Sequence, residues 1–149
     1  MKTIVFDMDG TLADLYGVED WLYDLTHDIT RPYEIAKPLV NLSLLVRLLK
    51  RLQFEGYAVG IVTWTAKDAS QAYDEAVAKA KKEWLKKHTP SMAWDFIEIV
   101  PYGTPKQKIK SGILFDDNAE IRSEWGEMAY TEKEILATLK SLLGMTVKS

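Results

Sequence analysis

The sequence predicts a three-layer α/β fold, in which a Rossmann-like parallel β-sheet lies between two layers of helices. Short β-branched runs with apolar residues on both alternating faces recur along the chain, which is typical of strands buried on both sides. Helical patterns separate these runs, so the strands are expected to be joined by right-handed βαβ crossovers. The chain has 149 residues, 47% of them hydrophobic, which suits one domain with a sizeable core.

Five runs supply the predicted strands: residues 3–6, 58–62, 96–100, 112–115 and, more weakly, 128–130. The first run, TIVF, has apolar residues at both alternating positions, which predicts a strand covered on both faces. Glu98 places a charge within the third run, which predicts that this strand lies at an edge of the sheet.

Helical patterns fill the two long gaps between the first three strands. Pro38, at a predicted first helical position, opens an almost wholly apolar helix that Gly56 closes. Thr65 with Asp68 resembles a capping box for a long helix that ends near His88. Both helices are expected to pack on the sheet as crossover connections.

Capping residues predict two further helices in the last third of the chain. Asn118 can cap a short helix after the fourth strand. Thr131 and Glu134 form a capping box for a last helix, which Gly144 stops. The five residues after Gly144 are expected to fray.

Composition and charge exclude several classes of protein. The chain has no cysteine, which removes disulfide frameworks, zinc–thiolate sites and cysteine nucleophiles. Its net charge of −3 gives no general field that would collect nucleic acid. The N-terminus turns acidic too early for a signal peptide, and the longest apolar stretch, residues 39–52, contains lysine and arginine. We therefore expect a cytoplasmic protein that binds neither membranes nor nucleic acid.

Three predicted strands end in side chains that can bind a cation or a phosphate. Asp7 and Asp9 follow the first strand in IVFDMDGT, Thr63 ends the second, and Asp116 and Asp117 follow the fourth. Each motif alone is more simply a wet turn or a helix cap, but the carboxyl ends of parallel strands share one edge, where such folds bind ligands. Two carboxylates in one turn can share a divalent cation and leave one group as nucleophile and the other as acid or base. An EF-hand loop is rejected because its glycine would stand at the fourth position instead of the sixth.

A lysine of the segment PYGTPKQKIK is expected to reach the same edge of the sheet. Lys106 follows Pro105 at a helix start, whereas Lys108 is two positions nearer the fourth strand. We prefer Lys106 to Lys108 as the residue at the site, and we expect Lys110 to face solvent.

In the order and chemistry of these motifs the sequence resembles the haloacid dehalogenase (HAD) superfamily. The DxDGT element after a strand is its most specific motif, and the size is similar to that of the small, minimally capped phosphatases of bacteria and phages. The resemblance implies the strand order 5-4-1-2-3, with the first strand central. It also implies one catalytic domain over residues 1–149, in which residues 12–37 form a minimal cap-like insertion after the first strand.

The resemblance further implies a Mg²⁺-dependent phosphomonoester hydrolase that acts through an aspartyl phosphate. Asp7 would be the nucleophile, and Asp9 would be the general acid and then the general base. Mg²⁺ would be held by the Asp7 carboxylate, the Asp9 backbone carbonyl, Asp116 and Asp117, the last directly or through water. The second aspartate of the motif favours phosphatases and phosphomutases, because the family's dehalogenases and transport ATPases lack it.

Substrate binding is expected to use two groups of side chains. The resemblance implies that Thr63 and Lys106 bind the phosphoryl oxygens. The candidates for stacking on a nucleobase are Tyr16, Trp21, Tyr23 and Tyr33 in the insertion and Trp64 beside the threonine, which makes a nucleotide one expected substrate. The simpler alternative is that these aromatic residues pack the insertion against the body.

Two alternatives stay open at this stage. A phosphatase of broad specificity, or one for sugar phosphates, would differ only in its leaving group. A phospho-accepting, receiver-like module is also a five-stranded α/β domain with clustered Asp, Thr and Lys, but it places the acidic pair first and the acceptor later. The short insertion predicts an open site, which admits large substrates or leaves a second subunit of an oligomer to cover small ones.

Overall fold

Five short strands pair in one parallel sheet in the computed structural model, which describes residues 2–145. They are β1 (Thr3–Phe6), β2 (Ala58–Trp64), β3 (Phe96–Val100), β4 (Ile113–Phe115) and β5 (Ala129–Tyr130). Their order is β3-β2-β1-β4-β5, which is the predicted order counted from the other edge, so the fold class is confirmed. Glu98 lies in β3, an edge strand as predicted.

The helices of the described residues connect and cover these strands. They are α1 (Trp21–Thr26), α2 (Arg31–Ile35), α3 (Leu42–Phe54), α4 (Gln71–His88), α5 (Ala119–Trp125) and α6 (Ile135–Leu142). Asn118 caps α5, and Thr131 with Glu134 forms the predicted capping box before α6. Residues 146–149, for which fraying is expected, lie outside the described part. Within residues 2–145 no helix has the length and apolar character needed to cross a membrane.

The start of α3 differs from the prediction. The helix begins at Leu42, and not at Pro38, because the Asn41 side chain accepts a hydrogen bond from the Leu44 N–H at 3.1 Å. Pro38 instead forms a β-bridge with Ala13. The local preference of proline for a first helical turn is overridden by a contact with a residue 25 positions earlier.

The start of α4 also lies later than predicted. Ser70 is its N-cap, with its hydroxyl accepting from the Tyr73 N–H at 3.1 Å, so the first helical residue is Gln71. Asp68 has a φ of +55°, a left-handed conformation that no α-helix continues through. The predicted capping box of Thr65 with Asp68 is therefore wrong.

The central strand β1 is covered on both faces, which is why its residues are apolar on both alternating faces. Ile4 and Phe6 belong to the core cluster beneath α3 and α6. Val5 and Leu114 of β4 face the opposite side, where they pack with Ile121 of α5. Full burial of one such side chain stabilises the fold by about 1.5–3 kcal/mol, so this strand is held firmly where it enters the site.

Residues 12–37 carry α1 and α2 and lie against α4. Leu15 and Tyr33 pack with Tyr73 and Val77 of α4 in a separate apolar cluster. The Tyr73 hydroxyl also donates to the Ile29 carbonyl at 2.7 Å. The segment is therefore fixed to a crossover helix beside the carboxyl edge of the sheet.

The strand order also decides against the receiver-like alternative. Receiver domains have the order 2-1-3-4-5, in which the first strand lies between the second and the third. Here β1 pairs with β2 on one side and with β4 on the other. The carboxyl ends of β2 and β4 therefore flank the carboxyl end of β1 directly.

Candidate active site

After β1 the chain makes a sharp turn beside the fourth strand. The Asp7 N–H donates to the Phe115 carbonyl at 3.0 Å, which extends the β1–β4 ladder by one residue. Gly10 has a φ of +79°, which favours glycine, and a Cβ there would overlap the Asp117 carboxylate. The motif therefore needs glycine both for its backbone conformation and for the close approach of the two loops.

Three carboxylates from the first and fourth strands meet at this edge. Asp7, Asp116 and Asp117 each offer an oxygen, and these oxygens lie within 4.8 Å of one another. The Thr11 hydroxyl joins the two loops, because it accepts from the Asp117 N–H at 3.2 Å and lies 3.1 Å from Asp7 Oδ2. A set of oxygen ligands of this kind fits a hard divalent cation such as Mg²⁺.

Lys106 is the lysine that reaches this cluster. Its side chain is buried, and Nζ donates to Asp7 Oδ1 at 3.0 Å and to Asp116 Oδ2 at 2.7 Å. An ammonium group has three N–H donors, so one remains for a bound phosphoryl oxygen. Lys108 is exposed, and Lys110, expected to face solvent, is instead partly buried against an aromatic ring of β3.

A second buried lysine, Lys81 of α4, lies on the other side of the motif. Its Nζ donates to Asp9 Oδ2 at 2.8 Å, to Thr63 Oγ1 at 2.7 Å and to the Trp64 carbonyl at 2.7 Å. These contacts join the first strand's acidic turn to the end of β2. The predicted site residues Asp9 and Thr63 are thus bridged by a residue that the sequence analysis did not assign.

A signal for Lys81 is nevertheless present in the sequence. It follows Val77 by four residues and Tyr73 by eight, and both are buried on the apolar stripe of α4. A lysine at that spacing belongs to the buried face of the helix, where a charge needs partners. Charged side chains on apolar stripes therefore merit the same attention as motifs at strand ends.

Burial and neighbouring charges move the pKa values of the two motif aspartates in opposite directions. Burial raises the pKa of Asp7, but Lys106, a hydrogen bond with Asp117 and the charge of Lys81 outweigh it, so the pKa lies below its usual value. The pKa of Asp9 is raised, because burial and the charge of Asp7 outweigh the pairing with Lys81. A nucleophile must be ionised and a general acid must hold a proton, so these directions suit Asp7 and Asp9 to those respective roles.

The pair after β4 is hard to ionise fully without a cation. Burial, and then the negative charge of Asp7, raise the pKa of Asp116 to about 6 and that of Asp117 to about 8. At neutral pH the three carboxyl groups are therefore not all charged. A bound divalent cation would favour the ionised forms, which makes the cluster a candidate cation site.

A cleft of about 530 Å³ opens over these groups and has aromatic walls. Tyr16 and Trp21 line it from the insertion, with ring centroids 4.9 Å apart, as does the buried Tyr33. Trp64 lines the opposite wall next to Tyr102, and its Nε1 donates to a backbone carbonyl at 2.8 Å. Four of the five predicted aromatic residues therefore line the cleft, whereas Tyr23 does not, and Tyr102 is an addition that the sequence analysis missed.

Comparisons with known proteins identify the fold. No protein-family model and no curated protein matches the sequence. Among solved structures, a D,D-heptose 1,7-bisphosphate phosphatase from Burkholderia thailandensis matches with a TM-score of 0.59 and 13% identity, over 96% of this chain and 99% of that one. The same phosphatase from B. bronchiseptica, complexed with magnesium and phosphate, matches with a TM-score of 0.59 and 14% identity, over 97% and 99%.

The chain has the HAD fold. The resemblance inferred from the motifs is thereby confirmed at the level of the fold. In this HAD fold the nucleophile candidate Asp7 stands at the central strand, with Thr63 and Asp116 at the ends of the two flanking strands. The activity itself is argued below from these side chains.

Proposed function

We propose that the protein hydrolyses phosphomonoesters through an aspartyl phosphate formed on Asp7. The observation that carries the proposal is the contact of Lys106 with both Asp7 and Asp116, which places an ionised carboxylate and a cation with a free donor at one point. The Asp7 carboxylate attacks phosphorus, and the bond from phosphorus to the leaving oxygen breaks. Asp9, two residues away, gives its proton to that oxygen.

The second half of the reaction returns the enzyme to its starting state. Asp9, now ionised, takes a proton from a water molecule, and the hydroxide attacks the phosphorus of the aspartyl phosphate. The bond from phosphorus to the Asp7 oxygen breaks, which releases inorganic phosphate and restores the carboxylate. Asp9 thus holds a proton again for the next substrate.

Mg²⁺ is the cation that this site is proposed to use. The carboxylates of Asp7, Asp116 and Asp117 would hold it, together with the Asp9 backbone carbonyl. When bound, Mg²⁺ supplies positive charge that offsets the charge of the phosphate group. The complex of the B. bronchiseptica phosphatase with magnesium and phosphate supports this choice.

Thr63 and Lys106 are proposed to hold the phosphoryl oxygens. Because Thr63 Oγ1 accepts a hydrogen bond from an ammonium group, its own proton is available to donate into the cleft. Lys106 has its third N–H for the same purpose. Donors fixed before the substrate arrives stabilise charge without reorganisation, which is the usual basis of phosphoryl binding.

We propose that the substrate carries a flat aromatic group that lies between the aromatic walls, with a nucleoside monophosphate as the first candidate. The insertion at residues 12–37 acts as a minimal cap in this proposal, because it brings aromatic side chains over the cleft. In the described part of the chain, the basic residues that line the cleft are Lys106, which is paired with carboxylates, and the exposed Lys67. A second phosphate group would lack a buried cationic partner here. Sugar phosphates remain the second candidate, because the two structural neighbours described above are heptose bisphosphate phosphatases.

Trp64→Ala is expected to erase a preference for nucleoside monophosphates over sugar phosphates of equal size. Stacking on an aromatic ring contributes about 1–3 kcal/mol per base, so kcat/KM for the nucleotides should fall roughly 5- to 150-fold. The kcat/KM values for the sugar phosphates should change little. Release of inorganic phosphate from a panel of both substrate classes, with Mg²⁺, measures the effect and tests the proposed function in the parent.

The matched control for this panel is Trp125→Ala. Trp125 packs at α5, where its Nε1 donates to the Gly112 carbonyl at 2.9 Å, and it does not line the cleft. Equal losses on both substrate classes in Trp64→Ala would show that this ring only packs the wall. No release of phosphate by the parent from any member of the panel would overturn the proposed function.

Asp117→Asn is expected to stabilise the metal-free protein increasingly as the pH rises from about 4 to about 8, and to weaken its response to Mg²⁺. The pKa of Asp117 is raised to about 8 in the folded protein, above the value of about 3.9 in an unfolded chain. Its contribution to stability is therefore complete at low pH and is lost as the pH rises through about 8. The neutral amide avoids this loss, so the melting temperatures of variant and parent, measured with a chelator, should diverge as the pH rises from about 4 to about 8 and should stay apart above that range.

Addition of Mg²⁺ provides the second part of this test. Mg²⁺ binds only the assembled cluster, so it should stabilise the parent by RT ln(1 + [Mg²⁺]/Kd) and the variant less. Asp28→Asn, at an exposed position of the insertion, is the control and should change neither result. An unchanged metal-free melting temperature with a full Mg²⁺ response would remove Asp117 from the site.

A further inference from the structure

Lys81 is a buried cation that the chemistry above does not use. Its side chain is 1% exposed, and it comes from the middle of α4, not from a strand end. Its three N–H donors have three acceptors within the chain: Asp9 Oδ2, Thr63 Oγ1 and the Trp64 carbonyl. Since lysine has no further donor, a substrate oxygen could bind it only by displacing one of these groups.

We propose that Lys81 is a positioning residue, which fixes the Asp9 carboxyl group for proton transfer; this inference rests on the proposed function. Lys81 holds Oδ2 of Asp9, while Oδ1 accepts no hydrogen bond within residues 2–145. Oδ1 is thus the oxygen left to give the proton to the leaving group and to take one from water. The contacts with Thr63 and with the Trp64 carbonyl hold the ammonium itself in place.

The surroundings of Lys81 argue that its charge serves the site and not the packing of α4. Val77 and Leu85, one turn away on either side, are both buried on the same face of the helix. A methionine has nearly the same length and would fill this position without the cost of removing a charge from water. The Tyr33 ring, 5.3 Å from Nζ, covers the lysine from the insertion. The insertion therefore shields the Lys81 ammonium group from water, while the Asp9 side chain stays 17% exposed at the cleft.

The variant Lys81→Met tests this role through the leaving group of the substrate. The 4-nitrophenolate ion leaves without a proton, whereas an alkoxide requires one, so only an alkyl phosphate depends on Asp9 as an acid in the first step. We expect kcat/KM for an alkyl phosphate such as glycerol 3-phosphate to fall roughly 10²-fold. For 4-nitrophenyl phosphate kcat/KM should fall by only about 10-fold or less. This is because kcat/KM reports formation of the aspartyl phosphate and not its hydrolysis, and in that first step the 4-nitrophenolate ion needs no proton.

Lys82→Met is the matched control, since it removes the same charge from an exposed position on the same helix. It should leave kcat/KM for both substrates unchanged. Melting curves show whether Lys81→Met is folded. If it is not, Lys81→Gln, which keeps an N–H donor without the charge, is used for the same comparison.

The outcomes separate this inference from the proposed function. If Lys81→Met loses more kcat/KM for the alkyl phosphate than for the aryl phosphate, the result supports a role of Lys81 through Asp9. An equal loss on both esters, or no loss on either, overturns the inference and leaves the phosphatase activity standing. If the parent with Mg²⁺ hydrolyses neither ester and no member of the nucleotide and sugar phosphate panel, the proposed function fails, and the role of Lys81 fails with it.

Discussion

Asp7→Asn is expected to reduce the hydrolysis of phosphomonoesters by roughly 10³-fold or more, which is among the largest effects predicted for this site. The amide has the shape of the carboxylate but is a poor nucleophile, so the aspartyl phosphate cannot form. Lys106 would also lose one of its two charged partners, at 3.0 Å. Initial rates of 4-nitrophenol release with saturating Mg²⁺ measure the loss, and a melting curve shows that the variant is folded.

The matched control for this variant is Asp14→Asn. Asp14 lies seven residues further along and does not line the cleft, and its side chain accepts from the Gly17 N–H at 3.0 Å, which an amide oxygen also accepts. Its activity should equal that of the parent. Mass spectrometry after acid quenching should find a phosphorylated peptide containing Asp7 in the parent and in Asp14→Asn, but no such peptide in Asp7→Asn. A folded Asp7→Asn protein with the parent rate would contradict the covalent mechanism.

The sheet could be predicted because the local sequence of each strand has a recognisable apolar pattern. Runs that are apolar on both faces have few structural interpretations other than buried parallel strands, so the bounds of β1 and β3 agree with the prediction to the residue. The helix starts were harder, because proline and threonine are acceptable in many turns. The bridge between Pro38 and Ala13, which joins two distant segments, decides one of them and cannot be seen in a local pattern.

The acidic part of the site could be predicted for a related reason. Strand order brings carboxyl ends together, so Asp7 and Asp116 had to lie close once β1 and β4 were neighbours. The choice between Lys106 and Lys108 depends on one 3₁₀ turn, which buries the first and exposes the second. Lys81 could not be assigned from motif order, because it lies in the middle of α4 and not at the end of a strand.

Asp9→Asn is expected to separate turnover from metal binding. The variant keeps the backbone carbonyl proposed to bind Mg²⁺, but its amide can neither give a proton to the leaving oxygen nor take one from water. Turnover should therefore fall roughly 10²- to 10⁴-fold, while the rise in melting temperature with Mg²⁺ stays close to that of the parent. Rates on an alkyl phosphate and a Mg²⁺ titration followed by thermal unfolding measure the two quantities on the same preparation.

Asp117→Asn serves as the reciprocal control, because its carboxylate belongs to the proposed cation cluster and not to the proton-transfer pair. Its melting temperature should respond to Mg²⁺ more weakly than that of Asp9→Asn. If Asp9→Asn instead loses its Mg²⁺ response as fully as its turnover, the division of the motif into a metal-binding carbonyl and a proton-transferring side chain is wrong. The contact between Lys81 and Asp9 at 2.8 Å would then stabilise the metal-binding turn after β1, and would not position a carboxyl group for proton transfer.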